Sequence, residues 1–439
     1  MLRVLAIALL LAGSPGPAQA PERASAAPQL PQAQAVQAPE RADAAHLLQT
    51  RAVQAGLSLA ARVAAAAPGD TLRVAAGTYM PGTMRIARPL TLIGQDWPVI
   101  DGQGEHGLLE ITADNVTVKG FVFTNTGTTF MEDRAAVKFT DSSECEVARN
   151  RFENTFFGVY LARASNCTVS HNVFTGTPDR EVNGGNAVHA WYSDSLTVVG
   201  NRISGHRDGI YLEFTTDGHV ESNTSSDNLR YGLHFMFSDR CAYVGNEFER
   251  NGAGVAVMYA DQVRMERNRF RQSWGPSAFG LLLKEIKGGS LIANTFEANS
   301  VALHVESTDR MEVTGNHFTR NGWAVRVMAD AQDNVFNQNV FLGNTFDVST
   351  NGRKTRGSSF HQNYWDRYRG YDLDRDGWGD QPFYPVKLYA VLVERQEPAL
   401  VLLGSAFVSL LDAMERALPL LTPVGIVDES PAMNPTEQP

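Results

Sequence analysis

Three cysteines in 439 residues are too few for a disulfide scaffold. Basic residues are outnumbered, 38 Lys and Arg against 48 Asp and Glu. The formal charge of -10 therefore lacks the basic face that nucleic-acid binding needs, so no nucleic-acid partner is expected. No later apolar run is long enough, free of charge and proline, to be a confident membrane span. A leucine-rich consensus is missing, and so are helical periods through the middle of the chain. What is present is 43% hydrophobic residues, ample for a core, in 439 residues that allow one large domain or two ordinary ones.

The N-terminus reads as a secretory signal over residues 1–20. Arg3 supplies the charge, Val4 to Leu11 the short apolar run, and Ala18-Gln19-Ala20 the cleavage site. A periplasmic or extracellular location is expected. Residues 21–43 are rich in Ala, Pro and Gln, a linker composition expected to be disordered. Residues 44–70 are Ala- and Leu-rich and predict a capping helix for the repeat region after it, ended by Pro68-Gly69-Asp70.

From residue 71 to 384 a repeat takes over. Asparagines fall at Asn150, Asn172, Asn201, Asn223, Asn246, Asn268, Asn294, Asn316 and Asn339, spaced 22, 29, 22, 23, 22, 26, 22 and 23 apart. Two residues after most of them stands a large apolar residue, such as Phe152, Phe174, Phe248, Phe270, Phe296, Phe318 and Phe341. Self-similarity at this period signals a solenoid. Short Val- and Phe-rich runs broken by Gly, Asn, Asp and Ser point to strands. The fold class is all-β: a right-handed parallel β-helix of ~22-residue coils with a helical cap and C-terminal helices. Like residues then stack at the inter-strand spacing of about 4.8 Å, and bend asparagines hydrogen-bond along their own ladder.

A second strand in each coil begins at Gly158, Ala187, Gly209, Gly232, Gly254, Gly280, Ala302 and Ala324. Side chains alternate faces along it, so Leu233, Phe235, Val255 and Val257 point inward. The outward columns read Tyr160, His189, Tyr211, His234, Ala256, Leu282, His304, Arg326, and Ala162, Trp191, Glu213, Met236, Met258, Lys284, Glu306, Met328. These are not the residues of a bland solvated face. A binding surface is one reading, and a face covered by the C-terminal segment is another. The cysteines share one column and read as buried core thiols, although Cys145 and Cys167, one coil apart, are within disulfide range.

Asp372, Asp374, Asp376 and Asp380, with Gly377 at the turn, match the start of a calcium loop, so a structural Ca²⁺ is expected. Phe383 stands where the loop's bidentate Glu would be. Residues 385–439 predict helices opening at Pro398. Leu400, Leu403, Phe407, Leu410 and Leu411 offer an apolar face, either to the solenoid end or to a membrane partner.

The chain from the linker onward resembles the NosD family, periplasmic maturation proteins of nitrous oxide reductase. The resemblance rests on the coils HFMFSD and VMYADQ, on GLLLK, on NYWD with GYDLDRDGWGDQPFYP, and on LLGSAF with the late VDESP. It implies a non-catalytic subunit of an ABC transporter, with a permease and an ATPase as partners. A copper chaperone lipoprotein would feed it, apo nitrous oxide reductase would receive copper, and the C-terminal helices would sit on the permease. Thioether and imidazole donors suit Cu(I). The expected transient ligands are His234, Met236 and Met258, with His189, His304 and Met328 in the same columns as secondary candidates. The rival reading is a carbohydrate-binding or carbohydrate-active β-helix, with Tyr160, Trp191 and Tyr211 stacking on sugar and Asp208, Glu213 and Glu306 supplying carboxylates. A surface or adhesion solenoid without chemistry is the third.

Overall fold

The computed structural model describes residues 58–129, 131–177, 180–351, 357–417 and 426–435. The signal and linker expectations, and the start of the capping helix, lie outside them. Within them α1 spans Leu59–Ala65. Ser58 caps it by accepting the Ala61 N–H at 3.2 Å. Leu59 and Val63 are buried and join the solenoid core. The chain reaches its first strand already at Asp70, so the helix ends earlier than its composition predicts.

The rest is a parallel β-solenoid. A typical coil contributes a six-residue strand such as Tyr231–Met236, then three-residue strands such as Ala242–Val244 and Glu247–Glu249. The first two kinds belong to one 23-stranded sheet and the third to a 13-stranded sheet. Leu233 pairs with Val255 and Phe235 with Val257, all buried. Phe248, Phe270, Phe296 and Phe318 stack face to face with centroids 5.6, 4.6 and 4.9 Å apart. Gly254 sits against the Gly280 carbonyl of the next coil, where a Cβ has no room. That close approach explains the glycine at the start of this strand.

The asparagine ladder holds at every predicted position. Asn223 donates its backbone N–H and its amide to Asn246 Oδ1, both at 3.0 Å, and the amide also reaches the Val198 carbonyl at 2.8 Å. These groups are buried, so the ladder satisfies corner backbone that water cannot reach. It continues to Asn363 and ends on Asp428. That carboxylate accepts the Asn363 N–H at 2.9 Å, the Asn363 amide at 3.0 Å and Trp365 Nε1 at 3.1 Å.

Two features depart from expectation. The structure joins Cys145 and Cys167, whose Cα atoms lie 4.4 Å apart in adjacent coils, in a disulfide, so only Cys241 is a free core thiol. Burial pushes the Cys241 thiol up to about 12, which keeps it protonated and unreactive. The C-terminal segment is also more broken than one helix from Pro398. It forms α2 (Leu388–Arg395), a 3-10 turn (Glu397–Leu402) and α3 (Ala406–Ala417). The uncharged run ALVLLGSAF crosses Gly404, whose φ of 76° breaks the helix between the last two.

Candidate functional site

The register confirms the outward columns. Tyr160, His189, Tyr211, His234 and Ala256 are successive Cα partners, and so are Trp191, Glu213, Met236, Met258 and Lys284. The first column faces outward but is not open to water. His234 is only 6% exposed, with its ring stacked on Tyr211 at 4.7 Å and tilted against Tyr231 at 4.8 Å. Burial pushes His234 down to about 4, with Arg230 and Arg207 adding to the shift and Asp208 opposing it. Its imidazole is therefore neutral near pH 7, the form that binds metal.

Beneath His234 lies a pair that sequence reading missed. Asp208, fully buried, holds Arg230 through Nε at 2.8 Å and Nη2 at 2.5 Å. Arg230 Nη2 in turn stands 3.4 Å from His234 Nδ1. A guanidinium only donates, so this contact makes Nδ1 the acceptor and leaves the ring proton on Nε2. That Nε2 is buried and has no hydrogen-bond partner among the described residues.

Met236 and Met258 are lateral partners in adjacent coils, both half-buried, and Met236 Sδ accepts the Tyr211 hydroxyl at 3.5 Å. His234, two residues before Met236, shares its face. One neutral imidazole and two thioethers therefore lie on one face of two adjacent coils, residue types that are soft donors for Cu(I).

The secondary candidates are not brought to that site. His189 lies two coils from His234, with Tyr211 between them. Burial pushes it down to about 3, and its Nδ1 pairs with the Asn186 amide at 3.0 Å. His304 is three coils away in the other direction, roughly 14 Å at the inter-strand spacing. Its Nε2 faces Glu306 at 3.6 Å. Met328 lies beyond the strand Trp323–Val327, with its backbone on the Val305 carbonyl at 2.9 Å.

Four of the six groups that would serve a sugar are engaged otherwise, whereas Trp191 and Glu213 are half-buried. The Tyr160 ring is stacked with His189 at 4.6 Å and the Tyr211 ring with His234. Asp208 is locked to Arg230, and Glu306 is paired with Lys284 at 2.9 Å. Described C-terminal residues meet the column only at its far end, where Glu394 accepts from Arg326 at 2.7 Å and Ser349 at 2.9 Å.

A third column escaped the sequence reading although its signal was there, one residue beyond the methionines. Tyr192, Phe214, Phe237 and Tyr259 stack in parallel with centroids 4.4, 4.9 and 4.9 Å apart. All four occupy the left-handed region, with φ of 48°, 50°, 51° and 56°. That conformation costs about 1–2 kcal/mol for a side chain of this kind. Tyr192 is 52% and Phe237 41% exposed.

In the acidic loop, carboxylate oxygens of Asp372, Asp374 and Asp376 lie within 4.8 Å of one another. Asp380 accepts the Leu373 N–H at 2.7 Å and shapes the turn instead. Phe383 packs on Trp365 at 5.2 Å, so a core contact occupies the place of a twelfth-position ligand.

At the C-terminus Tyr389, Ala390 and Val393 bury α2 against Phe346. Glu415 of α3 accepts the Leu388 N–H at 2.6 Å and ties the helices together. Leu400, Leu403, Phe407 and Leu410 stay exposed, whereas Leu411 is half-buried. Among the described residues no helix is long and apolar enough to cross a membrane.

Residues 178–370, which contain the histidine and methionine columns around Met236, match a family model described as "Periplasmic copper-binding protein (NosD)". The fold is a parallel β-solenoid, and the matched stretch carries the soft donors of its outward columns. Two curated relatives are named "Probable ABC transporter binding protein NosD". The one from Pseudomonas aeruginosa is 29% identical over 82% of this chain and 87% of its own length. The one from Stutzerimonas stutzeri is 27% identical over 83% and 87%. Over most of its length the chain is thus similar to proteins of the NosD name. Two solved structures share the fold. A mannuronic-acid-specific polysaccharide lyase from human gut microbiota has a TM-score of 0.54 at 13% identity, over 80% of this chain and 94% of its own. An α-1,3-glucanase from Streptomyces thermodiastaticus has 0.51 at 15% identity, over 70% of this chain; the chain spans 62% of the glucanase.

Proposed function

We propose that this protein is the copper-relay and docking subunit of an ABC transporter that delivers Cu(I) to apo nitrous oxide reductase. The observation that carries the reading is the placement of His234, Met236 and Met258 on one face of two adjacent coils, with Met236 and Met258 as lateral partners. Copper needs the Nε2 lone pair, and so the tautomer with Nδ1–H, which the Arg230 guanidinium opposes. That opposition suits a site that lets its ion go. The relatives' names as ABC transporter binding proteins support a transporter partner. The permease would seat the C-terminal helices, ATP would be hydrolysed by the partner ATPase, and a copper chaperone lipoprotein would supply the ion.

The test is competition for Cu(I) against a chromophoric chelator under anaerobic conditions. Stoichiometric binding by the native protein, lost in His234→Ala, supports the reading. Absence of binding by the native protein overturns the relay and leaves a docking scaffold.

Docking is tested by substitution, because Asp428 closes the asparagine ladder and truncation would open the solenoid. Phe407→Ser with Leu410→Ser is expected to abolish co-purification with the permease while far-UV circular dichroism stays unchanged. Undiminished recovery would reduce α3 to a cap. We also propose that Asp372, Asp374 and Asp376 hold a structural Ca²⁺. Adding Ca²⁺ to chelator-stripped protein should raise Tm by a few degrees at ligand in excess of Kd, and Asp374→Asn should remove the rise. An unchanged Tm in the native protein would mark the loop as a solvated turn.

A further inference from the structure

A second polar ladder follows the corner just after the phenylalanine stack. There Asn344, Asn321, Asn299, Asn251 and Asn228 each accept a backbone N–H from the coil before. The ladder ends at His206, whose N–H Asn228 accepts at 3.0 Å. In the preceding coils the same position, three residues after Phe123, Phe152 and Phe174, is held by Thr126, Thr155 and Thr177.

Two of these coils are long. Asn125 to Asn154 and Asn172 to Asn201 are 29 residues apart, against 22 from Asn150 to Asn172. The extra length falls at this corner, between Val122–Thr124 and Ala135–Thr140 and again between Val173–Thr175 and Asn186–Trp191. Between the two insertions, at Thr155 and Phe156 of the short coil, a cavity of about 360 Å³ opens. That is within the usual size of a small-molecule site. No charged side chain lines it, although 20% of the chain is charged. Exposed Asn154 and Thr177 mark its mouth.

Most of its polar groups are committed. Thr126 Oγ1 accepts the Phe156 N–H at 2.6 Å. Asn154 donates to Asn125 at 3.0 Å and accepts from the Thr177 hydroxyl at 2.9 Å. Two lining groups are unspent. Thr155 and His206 are 6% and 1% exposed, and Thr155 Oγ1 and His206 Nε2 have no hydrogen-bond partner among the described residues. The Gly185 carbonyl accepts from the other ring nitrogen, so the proton sits on Nδ1 and Nε2 presents a lone pair. Burial pushes His206 down to about 4, so its ring is neutral near pH 7.

These two groups select the chemistry of a ligand. An anion meets the Nε2 lone pair and is repelled, and a cation finds no carboxylate to neutralise it. A hydroxyl group donates to Nε2, and a second one pairs with Thr155 as donor or acceptor. The half-buried Phe156 ring adds an apolar wall. We propose that this cavity binds a neutral sugar ring, with one hydroxyl donating to His206 Nε2 and another paired with Thr155 Oγ1. The proposal does not depend on copper binding. A free sugar and the end ring of a glycan chain share this chemistry.

The test is saturation-transfer NMR and calorimetric titration of the purified protein with glucose, N-acetylglucosamine, cellobiose and chitobiose, with glucuronate as the charged counterpart. At least one neutral probe should bind, and glucuronate should not. Thr155→Val removes the hydroxyl and keeps the shape, whereas His206→Asn restores the ladder residue and withdraws Nε2. Each should weaken binding about tenfold, the worth of one buried hydrogen bond. Neither should lower the urea midpoint or change Cu(I) affinity in chelator competition. Tighter binding of the disaccharides would identify a chain end as the ligand, and equal binding a free sugar. Failure of every neutral probe to bind would overturn the proposal and leave the cavity to water. Equal affinity in native and variant proteins would overturn it too, as would glucuronate binding as tightly as glucose.

Discussion

Alanine at Asn246 is expected to destabilise the solenoid by about 3–5 kcal/mol, because several buried groups lose their partners at once and each costs about 1–3 kcal/mol. Asn246 Oδ1 accepts both the backbone N–H and the amide of Asn223, and its own amide donates to the Val220 carbonyl at 2.8 Å and to Asn268 Oδ1 at 3.0 Å. The residue is 1% exposed, so water does not replace it without opening the corner. Urea denaturation of the native and Asn246→Ala proteins measures the effect. Asn246→Asp should also destabilise, since a carboxylate accepts from Asn223 but has no proton for Val220 or Asn268. A loss under about 1 kcal/mol would mean that the corner backbone finds other partners.

Met236→Ala with Met258→Ala is expected to lower Cu(I) affinity by at least about 100-fold, since even outer-shell partners of a metal ligand change affinity 10–100-fold. The two side chains are half-buried lateral neighbours, and their truncation leaves the inward Phe235 and Val257 untouched. The cost in stability should therefore be small against the loss of binding. The Tyr211 hydroxyl, which donates to Met236 Sδ, would be left to water at the half-exposed surface. Chelator competition on the double variant, with urea denaturation beside it, separates the two effects. Retained affinity would place the ion elsewhere on the chain.

The solenoid was legible in the sequence because its order is local. The asparagine period fixes the corner, the Phe two residues on fixes the core, and alternation fixes which side chains face out. The grouping of His234, Met236 and Met258 came from that alternation. Depth was not legible. An outward position on a strand says nothing of neighbours such as Tyr231 and Arg230, which come from the start of the same strand and its turn and close over His234. Nor does it give pairs that cross coils, such as Asp208 with Arg230, because the register of one coil on the next decides them. The secondary candidates share the columns but stand two or more coils from His234, a separation the sequence period already gave. The Cys145–Cys167 bridge was open in the sequence, since one coil of separation permits contact without requiring it. The break at Gly404 was hidden by the apolar run that contains it.

Asp428 also orders the making of the protein in time. A chain that emerges N-terminus first can wind coil upon coil as soon as each is free, with α1 already in place over the first. The last edge, at Asn363 and Tyr364, receives its partners only when residues 428–432 arrive some sixty positions later. Until then the growing stack ends in an unpaired strand, the kind of template that captures a neighbouring chain. The final stretch is therefore the stopper of the assembly, and the interval before it arrives is when a half-made molecule is most exposed to joining another end to end.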